Sequence, residues 1–242
     1  MKPADLLKEH ALSRDSRPES GLPGQEASGN CVGGSLHPEE GMPRPVVSVV
    51  IANYNGGAYI EDALASATRQ TLRDIEIIVI DDGSSDDSVD RIRACVSRDP
   101  RISLIETRDR GGPGCARNHG LHAARGTWIA ILDSDDLMHP RRLALLVEAA
   151  SADGVELIAD NQMVFDHARA VAARPLLARH ELPTDGLVDV ASYIESNGLS
   201  GRSTPLGYLK PLFLRAFMER TNSRYNTTVS YTHLTLPTIY SV

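Results

Sequence analysis

The sequence predicts an α/β fold, a mostly parallel β-sheet flanked by helices, and three observations carry that prediction. Short apolar runs rich in Val and Ile recur between Val46 and Ala159. Segments with apolar residues at helical spacing separate them. The runs do not alternate apolar with polar, so each suits a strand buried on both faces, as in sheets whose crossover helices cover both sides.

The elements follow in order. "VVSVVIA" (Val46 to Ala52) is a β-branched first strand. "AYIEDALASATRQ" sets Ile60, Ala63, Leu64 and Ala67 on one helical stripe. "IEIIVI" (Ile75 to Ile80) is a second strand. "SDDSVDRIRACVS" is a second helix, with Ser85 as N-cap and Val89, Ile92 and Val96 on one face. "ISLIE" is a third strand and "GCARNHGLHAAR" a third helix. "TWIAIL" (Thr127 to Leu132), "RRLALLVEAA" and "VELIA" (Val155 to Ala159) continue the alternation. Beyond Asp160 the signal weakens to one helix expected near Lys210 to Glu219.

Composition bounds the rest. The chain has 242 residues, is 41% hydrophobic and carries a net charge of -7. That length supports one sizeable core, and the acidic balance argues against nucleic acid or an anionic membrane surface as partner. The polar start lacks the apolar core of a signal peptide, and no apolar run approaches the ~18 residues of a transmembrane segment. Three sparse cysteines, Cys31, Cys95 and Cys115, read as reduced thiols. A cytoplasmic protein is expected, able to work as a peripheral partner at the inner face of a membrane. Residues 1–44 are rich in Gly, Pro, Ser and charge and read as a disordered tail. Residues 45–226 read as the functional domain, and residues 227–242 as a non-native tail. "VSYTHLTLPT" in that tail resembles the translation of a sequencing-library adapter.

Polar chemistry gathers where strands end, which is where open α/β sheets bind ligands. "DSDD" follows the fourth strand, and Asp133 and Asp135 there are hard oxygen ligands suited to Mg²⁺ or Mn²⁺. A solvated loop with Asp136 capping the next helix would give the same letters. Asp82, after the second strand, can bond a base or ribose, or simply close an Asx turn. Tyr54 in "NYNGG" can stack on a base, while Asn and Gly there also suit a turn with positive φ. "RGGPGCARNHG" opens a helix whose amides could face phosphate, and Arg117 there can neutralise a diphosphate or simply be a surface Arg on a helix. It is neither a P-loop nor a dinucleotide fingerprint. His119, His122 and His139 lack a ligand spacing for zinc.

Taken together, "VSVVIANYNGGAYIEDALASATRQTLRDIEIIVIDDGSSDDS" and "GGPGCARNHGLHAARGTWIAILDSDDLMHPRRL" resemble a family 2 glycosyltransferase with a GT-A (Rossmann-like) fold. The resemblance covers roughly Pro45 to Ala159, with the donor-binding half at 45–160. "LGYLKPLFLRAFMERTNSRYN" resembles the family segment that precedes an acidic Glu-Asp motif. The resemblance implies transfer of a sugar, with inversion, from a nucleotide-diphosphate-sugar donor to a glycan or lipid-linked acceptor in bacterial polysaccharide or cell-envelope synthesis. It places Tyr54 and Asp82 at the nucleoside, Arg117 at the diphosphate, Asp133 at the ribose or metal, and Asp135 at a divalent cation. Ala52 stands where the family usually has Pro or Thr. The family's base lies downstream of "RYN", so no catalytic base is assigned. Two rivals are a non-catalytic nucleotide-sugar-binding fragment and a phosphatase with a DxD motif. The latter normally carries that motif after its first strand.

Overall fold

The computed structural model describes residues 44–166, 171–177 and 209–227. Of the tails expected at 1–44 and 227–242, residues 1–43 and 228–242 lie outside the described residues. Strands β1 (Val47–Asn53), β2 (Ile75–Asp81), β3 (Ile102–Glu106) and β4 (Trp128–Asp133) alternate with helices α1 (Ile60–Thr68), α2 (Ser88–Val96), α3 (Gly112–Ala123) and α4 (Arg142–Asp153). Then come β5 (Leu157–Ile158), β6 (Met163–Asp166), β7 (Val171–Pro175), β8 (Leu212–Leu214) and α5 (Arg215–Arg220). The central sheet has order β3-β2-β1-β4-β8-β5, and β6 and β7 form a separate antiparallel pair. β1 pairs in parallel with β2 and β4, and β2 with β3.

Why these residues fold so is visible in their burial. Val47, Val49 and Ile51 point into a core with Ile60, Ala63, Leu64, Ile92, Leu143 and Leu146, so α1, α2 and α4 cover one face. Val50, Ile78, Ile80, Ile129 and Ile131 point the other way onto Ala116, Leu121, Met218 and Tyr225 of α3, α5 and the segment after α5. Both faces being covered explains why the strands read as continuous apolar runs. Helix α3 lies close to the sheet at Gly120. A Cβ on Gly120 would meet Val50 Cγ1 at 2.2 Å and Ile80 Cδ1 at 2.8 Å. Glycine is what permits that approach.

Several expectations need correction. The helix expected near Lys210 to Glu219 is strand in part: β8 occupies Leu212–Leu214, and the helix covers Arg215–Arg220. β8 runs antiparallel between β4 and β5, which makes the sheet mostly parallel, as expected. The fifth strand shrinks to two residues at the sheet edge. Ser85 does not cap α2, which starts at Ser88 after Asp87. The Asp86 carboxylate instead accepts the Gly57 N–H at 2.9 Å and the Ser88 N–H at 3.0 Å. The positive φ in the "NYNGG" turn belongs to Asn55, not to the glycines. Cys95 is a free thiol as expected, but Cys115 is disulfide-bonded. No helix among the described residues is long and apolar enough to cross a membrane.

Candidate functional site

Register brings the site residues to one edge. Asn53 stands opposite Asp81, and Ala52 opposite Asp133, so the carboxyl ends of β2, β1 and β4 lie side by side. The loops that leave those ends carry Asp82, Tyr54 and the "DSDD" acids.

The diphosphate-facing candidates meet directly. Arg117, on α3 and 7% exposed, donates from Nη2 to Asp133 Oδ1 at 2.7 Å. Lys210 Nζ forms a short ion pair with the other oxygen, Asp133 Oδ2. Burial alone would raise the Asp133 carboxyl, but Lys210 and Arg117 outweigh it and hold it below the usual carboxylate range. Beneath Arg117 lies the Tyr225 ring, its centroid 5.5 Å from the guanidinium carbon. The Tyr225 hydroxyl is buried without a hydrogen-bond partner among the described residues, and burial pushes its proton affinity up.

Asp133, Asp135 and Asp136 each offer a carboxylate oxygen, all within 4.8 Å of one another. Three hard oxygen donors so close could hold a divalent cation. Burial raises the Asp136 carboxyl; Lys210 opposes that, while Asp133 and Asp135 add to it. The alternative in which Asp136 caps the next helix fails, because α4 begins later, at Arg142. The loop between them is pinned from α1's side. Ser66 Oγ accepts the Met138 N–H at 3.0 Å, and the fully buried Gln70 donates to the His139 carbonyl at 2.9 Å and accepts the Leu143 N–H at 3.1 Å.

The nucleoside candidates form a second group. Asp82 is 3% exposed, and its oxygens accept the Gly111 N–H at 2.9 Å and the Gly112 N–H at 2.7 Å. The amides that the sequence suggested for phosphate are therefore engaged by Asp82. Gly112 sits at φ 82°, a conformation glycine favours, which lets that turn close. The same turn sets Arg110 over the Tyr54 ring, 3.9 Å from its centroid. Tyr54 is 40% exposed, so its ring remains reachable.

Lys210, Arg110 and Tyr225 escaped the sequence reading as site residues. Lys210 was legible only through β8. Ala130 pairs with Leu212, so continuing that antiparallel register by two residues sets Lys210 beside Leu132, next to Asp133.

Residues 48–204 match the family described as Glycosyl transferase family 2. The succinoglycan biosynthesis protein ExoO of Rhizobium meliloti (strain 1021) is 38% identical over 183 residues, covering 75% of this chain and 51% of that protein. ExoU of the same strain is 37% identical over 186 residues, covering 76% and 53%. The chain thus spans about half the length of the curated relatives it matches. S. aureus TarS in complex with UDP superimposes with a TM-score of 0.57 at 20% identity, over 77% of this chain and 52% of that one. The mannosyltransferase PcManGT from Pyrobaculum calidifontis, in complex with GDP-Man and Mn2+, gives 0.55 at 22% identity, over 77% and 49%. Those likenesses show the fold, GT-A. With the family match spanning residues 48–204 and the strand-end acids in place, the chain belongs to glycosyl transferase family 2.

Proposed function

We propose that residues 45–226 bind a nucleotide-diphosphate-sugar donor through the 45–160 half, and that the protein transfers the sugar with inversion to an acceptor hydroxyl. The observation that carries this reading is the Arg117–Asp133–Lys210 arrangement beside Asp135 and Asp136 at the end of β4. Cations and hard carboxylates concentrated at one strand end suit a diphosphate accompanied by a divalent ion. The bound ligands of TarS and PcManGT support the donor class. The succinoglycan relatives support bacterial polysaccharide synthesis, with a glycan or lipid-linked acceptor.

In this reading Tyr54 and Arg110 bracket the base. Asp82 holds the Gly111–Gly112 turn that presents Arg110, and its remaining lone pairs can accept from the nucleoside. Asp135 and Asp136, with Asp133, would hold Mg²⁺ or Mn²⁺, which supplies Lewis-acid neutralisation of diphosphate charge when bound. Arg117 is fixed by burial and by Asp133, so its guanidinium is pre-organised for charge that develops on the departing diphosphate. The base that deprotonates the acceptor is left unassigned. Peripheral work at the inner face of a membrane follows if the acceptor is lipid-linked.

A thermal-shift series with UDP, GDP, CDP and ADP, each with Mn²⁺ or Mg²⁺, tests the reading. One nucleoside diphosphate should raise Tm only when a cation is present. Indifference to all four, together with hydrolysis of simple phosphate esters, would favour the phosphatase alternative instead.

A further inference from the structure

We infer that Lys210 is an internal counter-cation that a divalent ion must displace from Asp133, so that ion and donor bind cooperatively; this rests on the donor-site reading above. Each oxygen of Asp133 is engaged by a cation: Oδ1 by Arg117 and Oδ2 by Lys210. An ion shared by Asp133, Asp135 and Asp136 would sit against the Lys210 ammonium, and like charges at that range repel strongly.

Which cation yields follows from how each is held. Arg117 is 8% exposed at its side chain, packed on the Tyr225 ring, and carried on α3. Lys210 reaches in on a flexible four-carbon stem from the segment before β8, with a side chain 19% exposed. Its backbone is anchored apart from that stem. The Lys210 carbonyl accepts Arg142 Nη2 at 2.5 Å, and Arg142 grips Asp160 through both its Nε and its Nη2, at 2.7 to 3.0 Å. The ammonium can therefore swing while the chain stays in register. A diphosphate arriving with the ion offers it new anionic oxygens, close to those it leaves. Ion alone meets a repelling Lys210; ion with diphosphate gives Lys210 a new partner.

Mn²⁺ binding, read as loss of the free-ion EPR signal, tests this with and without saturating UDP or whichever nucleoside diphosphate proves to bind. Wild type should take Mn²⁺ weakly alone and at least about tenfold more tightly with the nucleotide. Lys210→Met should bind Mn²⁺ alone about tenfold more tightly than wild type and lose most of the nucleotide enhancement. Lys210→Arg keeps the charge and should stay weak in Mn²⁺ alone, which guards against a folding defect in the methionine variant. Equal Mn²⁺ affinity in all three proteins, or an undiminished nucleotide enhancement in Lys210→Met, overturns the inference while leaving donor binding intact. Failure of every nucleoside diphosphate to bind wild type with Mn²⁺ overturns the donor-site reading and this inference with it.

Discussion

Asn118 and Tyr225 are joined as if they were neighbours in a sheet: Asn118 Nδ2 donates to the Tyr225 carbonyl at 2.9 Å, and Asn118 Oδ1 accepts the Tyr225 N–H at 2.8 Å. One side-chain amide thereby holds the segment after α5 against α3, and seats the Tyr225 ring beneath Arg117. Asn118→Ala leaves both backbone groups unpaired and should cost about 1–3 kcal/mol of stability, read by urea unfolding. Nucleoside diphosphate affinity should fall as well, because Arg117 loses the packing beneath it. Unchanged stability would show that the clamp contributes nothing.

Gln70 does for the acidic loop what Asn118 does for the later segment. Its amide ties the His139 carbonyl to the Leu143 N–H across the stretch that follows Asp136. Gln70→Ala should destabilise by about 1–3 kcal/mol and weaken Mn²⁺ binding, although Gln70 would touch no ion. Calorimetric titration of Mn²⁺ into the variant checks the second effect.

Gly120 marks a close approach of α3 to the sheet. Gly120→Ala should destabilise by about 1–3 kcal/mol through overpacking against Val50 and Ile80. Val50→Ala in the same chain should recover part of that loss, a coupling that a double-mutant cycle measures directly.

Asp99 gives a pH-dependent prediction. Its hydrogen bond with Arg101 outweighs burial and holds the carboxyl below its usual value. A depressed folded value stabilises the protein above the ordinary aspartate range of about 4, and that contribution fades as pH falls through the folded value. The Tm difference between wild type and Arg101→Ala should be level from neutral pH down to about 4 and shrink below it. A difference that grows on acidification would refute the assignment.

What the sequence made legible, and what it hid, follows one physical divide. Strands β1 to β4 were readable because burial on both faces leaves continuous Val/Ile runs, and Asp82, Asp133 and Asp135 were readable because they follow those runs. The parts set by distant pairing were not. "LFL" is too short to declare itself a strand, and only its pairing with β4 makes it one, so Lys210 stayed hidden with it. Ser85 looked like a cap because the letters fit. The Asp86 carboxylate bonds the Gly57 and Ser88 amides, and the helix starts later, at Ser88. The amides of Gly111 and Gly112 looked available for phosphate because their acceptor, Asp82, lies about thirty residues earlier in the chain.

The most direct test of the central claim is calorimetric titration of the preferred nucleoside diphosphate, with and without Mn²⁺, into wild type and Asp135→Asn. Tight binding is expected only for wild type with the cation, and it should be lost in the variant. Binding that ignores both the cation and the substitution would contradict a donor site built on the acids that follow β4.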